Sequence, residues 1–145
     1  MGIAVSQNGP VALDTSVFIY YVEEHQTYLP LIEPLFEGAA AGSIQIVTSA
    51  ITLLELLVVP YRSKDMGLAA RYEELLTYSE GIRMLEVDGA QLRAAASLRA
   101  SQRIRTVDAI QVAAALTSGC SSFITNDLRV PKIRGLRIVQ LGDLV

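Results

Sequence analysis

Short apolar segments alternate with longer amphipathic ones along this chain, and that alternation limits its fold more than any other feature. V-A-L before Asp14, I-Q-I-V-T, I-R-M-L-E-V, S-S-F-I-T and L-R-I-V-Q-L read as strands. Helical stretches lie between them. V-F-I-Y-Y-V-E-E follows Ser16, and residues 28–41 place Leu31, Leu35 and Ala39 at helical spacing, with Pro30 in the first turn and Gly42 as the stop. Ser49 is expected to cap a helix that Pro60 ends, and residues 64–78 form another, stopped near Gly81. Asp88 with Gln91 makes a capping-box-like start to the next. Thr106 is expected to cap V-D-A-I-Q-V-A-A-A-L, which Gly119 closes. Strands alternating with helices predict a three-layer α/β/α sandwich with a central, mainly parallel sheet. At 145 residues, 51% of them hydrophobic, the chain fits a single domain over 1–145 with one filled core.

Composition narrows the compartment and the chemistry. Charged residues, at 19%, are too few for a disordered chain. One cysteine, Cys120, excludes an internal disulfide and suits a reducing compartment. Cys120 reads as a small residue entering a strand, and His25, the lone imidazole, as a solvated group in E-E-H-Q. The start lacks a basic, apolar leader, and its M-G-x-x-x-S match to a myristoylation pattern at Gly2 reads as incidental. The apolar run from Ala50 to Pro60 is too short to span a bilayer. The expectation is a cytoplasmic protein with no membrane association.

Within that apolar run stands one carboxylate, Glu55. Burying an ionised carboxylate is costly unless a cation or hydrogen bonds compensate it. A solvated face through Glu55 would include Ile51, Val58, Val59 and Arg62, and three of those are apolar. Asp14 directly follows the first strand, Asp127 follows S-S-F-I-T by one residue, and Asp108 sits in the first turn of its helix. Singly, Asp14 and Asp127 could cap helices or turns, and Asp108 could answer a helix dipole. Together, in a parallel sheet, the four converge beyond the carboxyl ends of strands, where open α/β sheets bind ligands. Carboxylates packed together need cations. An all-oxygen set points to Mg²⁺ or Mn²⁺, one or two ions, and against zinc. No G-x-x-x-x-G-K-[ST] or G-x-G-x-x-G loop is present.

L-D-T-S-V, S-x-I-T-x-x-E, T-x-D-A-I-x-x-A-A and F-I-T-N-D, in this order from Val11 to about Val139, resemble the PIN-domain nucleases, and most closely VapC-type toxins of toxin–antitoxin pairs. The resemblance implies that Asp14, Glu55, Asp108 and Asp127 form an acidic metal site, oriented by Thr15, Ser16, Thr125 and Asn126. It implies a Mg²⁺- or Mn²⁺-dependent endoribonuclease that leaves a 5′ phosphate and a 3′ hydroxyl. Relatives often carry further acids and aromatics after the last acid, whereas Leu128, Arg129 and Val130 follow Asp127 here. The resemblance further implies a homodimer and a cognate antitoxin bound among the helices around Tyr61. An RNA-maturation nuclease without an antitoxin, or a non-catalytic binding module, remain the alternatives.

The net charge of −3 weighs against a nucleic-acid partner, but two divalent ions, +4, would offset it and leave the chain near +1. Basic residues flank two of the acids. Arg103 and Arg105 precede Asp108, and Arg129 and Lys132 follow Asp127. These four are the candidates for tracking an RNA backbone.

Overall fold

In the computed structural model the described residues are Ile3 and 9–145, so the Gly2 pattern lies outside them. All five expected strands form: β1 (Val11–Leu13), β2 (Ile46–Ser49), β3 (Ile82–Leu85), β4 (Ser122–Thr125) and β5 (Arg137–Gln140). They pair in parallel throughout, in the order β3-β2-β1-β4-β5. Because β1 lies at the centre with neighbours on both sides, its three residues are all apolar and all buried.

Six helices cover the sheet: α1 (Thr15–Val22), α2 (Leu29–Ala41), α3 (Ile51–Ser63), α4 (Met66–Tyr78), α5 (Gly89–Ser101) and α6 (Thr106–Thr117). The two-residue period of the strands divides the apolar side chains between two cores. Val11, Leu13, Ile46 and Ile124 face Phe18, Ile32, Leu35, Leu56 and Leu76 of α1 to α4. Ala12, Val47 and Phe123 face Ala95 of α5 and Ala109, Val112 and Ala113 of α6. The result is three layers. Among the described residues no helix is long and apolar enough to cross a membrane.

Helix ends depart from expectation at several points, each for a local reason. Pro60 does not end α3, which runs one turn further to Ser63. A proline removes a donor but keeps its carbonyl, and Pro60 O accepts the Asp65 N–H at 2.9 Å while Lys64 turns left-handed at φ 60°. Ser49 is the last residue of β2, and Ala50 holds the cap position, although Ser49 Oγ still accepts the Ile51 N–H at 3.3 Å. Thr106 is the first residue of α6 rather than its cap. Arg105 occupies the cap with extended backbone, and no side chain caps the helix. Asp65 caps α4 by accepting the Leu68 N–H at 3.0 Å. At α5 only half of the capping box forms. Asp88 accepts the Gln91 N–H at 2.9 Å, while the buried Gln91 amide turns to Glu86 O. Gly42, at φ 81°, ends α2 as expected.

The chain lays down β1, β2 and β3 in one direction across the sheet, then returns to place β4 on the other side of β1. Connections leaving the carboxyl ends of β1 and β4 therefore diverge. Such a reversal opens a crevice at that edge of the sheet.

Candidate active site

A cleft of about 580 Å³ occupies that crevice, and Asp14, Glu55, Asp108 and Asp127 all line it. Each comes from a different place in the fold. Asp14 leaves β1 and caps α1, Glu55 lies in α3, Asp108 in the first turn of α6, and Asp127 just past β4. Ser16, Asn126, Arg105 and Arg129 line it too.

Asp14 and Glu55 are held by neutral groups. Asp14 accepts the Thr15 N–H at 2.7 Å and the Thr125 hydroxyl at 2.6 Å. Burial nonetheless pushes its pKa up to about 6, with the charges of Asp108 and Glu55 adding to the rise. Thr15 donates its hydroxyl to Glu55 Oε1 at 2.5 Å. The Gln111 amide nitrogen donates to Thr15 Oγ1 at 2.8 Å, Thr52 Oγ1 at 3.0 Å and Glu55 Oε1 at 3.1 Å. Thr52 pairs with Thr48 at 2.8 Å, and Thr48 donates to Leu13 O, beside Asp14. Glu55 fixes the Gln111 orientation, since a reversed amide would set oxygen against a carboxylate.

Asp108 and Asp127 are held by guanidinium groups. Arg105 Nε donates to Asp108 Oδ2 at 2.7 Å and Nη2 to Asp108 Oδ1 at 3.1 Å. The same Nη2 reaches Asp127 Oδ2 at 2.7 Å. Arg129 covers the outer side of Asp127, with Nε 3.0 Å from Oδ1 and Nη2 2.9 Å from Oδ2. The hydrogen bonds from Arg129 hold the Asp127 carboxyl below its usual range, with the Arg105 charge adding to them. Arg103 and Lys132 are exposed.

Of the groups expected to orient the acids, Thr15 and Thr125 touch them directly. Thr125 also accepts the Asp127 N–H at 3.0 Å. Asn126 instead links Tyr20 and Gly142, donating to the tyrosine hydroxyl and accepting the glycine N–H, each at 3.0 Å. Ser16 Oγ is buried without a partner in the wall of the cleft. Gln111 was not among the expected site residues, although its place in the sequence carries a weaker form of the Glu55 signal. It is the one polar group in A-I-Q-V-A-A-A-L, three residues and one helical turn beyond Asp108.

The donor set suits a hard divalent cation: carboxylates with hydroxyls beside them, an unpartnered buried hydroxyl, and a desolvated Asp14 beside two further acids. As the side chains stand, no three of the acids gather closely enough to hold an ion among the described residues. Arg105 and Arg129 hold Asp108 and Asp127.

The sequence matches the PIN domain family over residues 11–136. Among the curated proteins compared, none matches significantly. A chain of VapBC2 from Rickettsia felis, solved bound to a promoter DNA fragment, is similar in fold at TM-score 0.67 and 18% identity, covering 90% of this chain and 97% of that one. VapBC-5 from Mycobacterium tuberculosis matches at TM-score 0.62 and 24% identity, over 91% and 98%. VapC20 of the same organism, a sarcin–ricin loop cleaving toxin, matches at TM-score 0.62 and 16% identity, over 78% and 86%.

Proposed function

The chain belongs to the PIN domain family, and we propose that it is a divalent-metal-dependent endoribonuclease, the toxin of a toxin–antitoxin pair. The observation that carries this reading is the meeting of four acids from four separate elements in one cleft at the sheet's switch point. Asp14, Glu55, Asp108 and Asp127 would hold one or two Mg²⁺ or Mn²⁺ ions. Bound there, such an ion activates water and neutralises charge at a phosphodiester. Thr125 and Thr15 fix the carboxylate oxygens of Asp14 and Glu55, and Gln111 fixes Thr15 and Glu55 in turn. Exposed Arg103 and Lys132, with Arg105 and Arg129 at the mouth, offer positive charge to an RNA backbone. The one histidine, His25, lies outside the cleft, so the reaction relies on carboxylates rather than an imidazole base.

An antitoxin and a second copy of the chain are the proposed protein partners. Structures similar to this chain come from toxin–antitoxin complexes. Apolar surface on α3 supports such contacts: Leu54 is 58% exposed, Val59 64% and Tyr61 52%. A second cleft of about 630 Å³, lined by Tyr21, Leu29, Leu75 and Tyr78, could take a partner's side chains.

The test is RNA cleavage by the purified protein and by Asp14→Asn, with and without Mn²⁺. Cleavage that needs Mn²⁺, stops in excess EDTA and vanishes in the variant is the expected result. Activity that survives either treatment would remove the metal-site reading. Growth arrest on expression of the parent but not Asp108→Asn, relieved by a neighbouring antitoxin gene, separates a toxin from an RNA-maturation nuclease.

A further inference from the structure

Arg105 holds two of the four acids at once. Its Nε and Nη2 take both oxygens of Asp108, and Nη2 also takes Asp127 Oδ2. The side chains differ in exposure, 49% for Arg105 against 4% for Asp108. The guanidinium thus stands at the mouth of the cleft and can swing to solvent without disturbing the core. Asp108 cannot follow it. If Arg105 leaves, Asp127 keeps Arg129, but Asp108 loses its one salt bridge among the described residues. A buried carboxylate without a cation is a strong demand for another one.

With its fork across both oxygens of Asp108, the guanidinium sets positive charge where a divalent ion would bind, and the two cations repel. We propose that Arg105 is a built-in counter-cation of this cleft, displaced from Asp108 and Asp127 by the entering ion and then taken up by a phosphate of the bound nucleic acid. The inference rests on the metal-site reading above. It explains why four acids line one cleft while no three of them gather around a common point among the described residues. By linkage, whatever binds the released arginine tightens the ion, so ion and nucleic acid bind cooperatively. An arginine serving only to secure the start of α6 would instead stabilise the protein equally with and without metal.

Calorimetric titration of the metal-stripped protein with Mn²⁺ alone, for the parent and Arg105→Gln, tests the exchange. The variant should bind Mn²⁺ about tenfold more tightly, within the usual span of coupling between two sites. It should melt below the parent without metal, and gain more than the parent when Mn²⁺ is added. A short oligodeoxythymidine should tighten Mn²⁺ binding to the parent several-fold and leave the variant unmoved. Arg105→Lys keeps a charge but not the fork across two acids, so its affinity should fall between the two. It stands in if the Gln form does not fold. Mn²⁺ binding that is unchanged or weaker in both variants overturns the proposal while the metal site stands. No Mn²⁺ binding by parent or variants overturns the metal-site reading itself.

Discussion

The two halves of the cleft solve one electrostatic problem in opposite ways. On the Asp14 side, hydroxyls, a backbone N–H and an amide satisfy the carboxylates, and the Asp14 pKa rises to about 6 because burial outweighs those neutral donors. On the Asp127 side two guanidinium groups do the same work, and the Asp127 pKa falls. Neutral donors supply geometry without charge and leave a standing need for a cation. Arginines supply both, and so must be moved before an ion can take their place.

Four measurements would break or sharpen that contrast. The largest effect is expected at Asp14. A carboxyl with a raised folded pKa adds stability below about pH 3.8, and that contribution is lost as pH rises through about 6. The span is worth about 3 kcal/mol at most. Metal-free Asp14→Asn should therefore melt above the parent at neutral pH and lose most of the parent's pH dependence across that window. A variant that melts lower at neutral pH would mean Asp14 is a structural acceptor.

Next comes Gln111→Leu. It strips one donor from Thr15, Thr52 and Glu55 together. Denaturant unfolding should show a loss of about 2 kcal/mol. Mn²⁺ affinity should fall by about tenfold or more, as when a group that orients a ligand is removed. Thr125→Val should cost about 1 kcal/mol and raise the midpoint of Asp14 titration, seen by NMR of its carboxyl carbon, because one donor to the ionised form is gone. The smallest effect belongs to Arg129→Gln. Its side chain is 67% exposed, and its pair with Asp127 is screened by solvent, so the melting temperature should stay where it is. A clear drop there would mean that the arginine half is a structural clamp.

The contrast also shows what a sequence can carry. Glu55 was legible because a charge among Leu and Val has no local excuse, and the acids at strand ends were legible because parallel sheets bind ligands there. Gln111 carried only a weaker signal, because a neutral amide is cheaper to bury than a carboxylate. The arginine pairing was not legible. Arg105 and Asp108 are three apart, a spacing that also suits an ordinary surface pair, and Arg105 and Asp127 are 22 apart.

By itself the sequence determined the five strands and six helices, a mainly parallel sheet and the acids at strand ends and helix starts, since hydrophobic period and capping chemistry act over a few residues. The strand order came only from the structure. Pro60 inside α3 and Thr106 within α6 escaped it, because a helix end depends on which carbonyls and N–H groups find partners beyond the local segment. Only the tertiary structure decided which acid is desolvated and which is paired. Burial and charge act through space, and the groups that set them reach Asp14 from 111 residues along the chain.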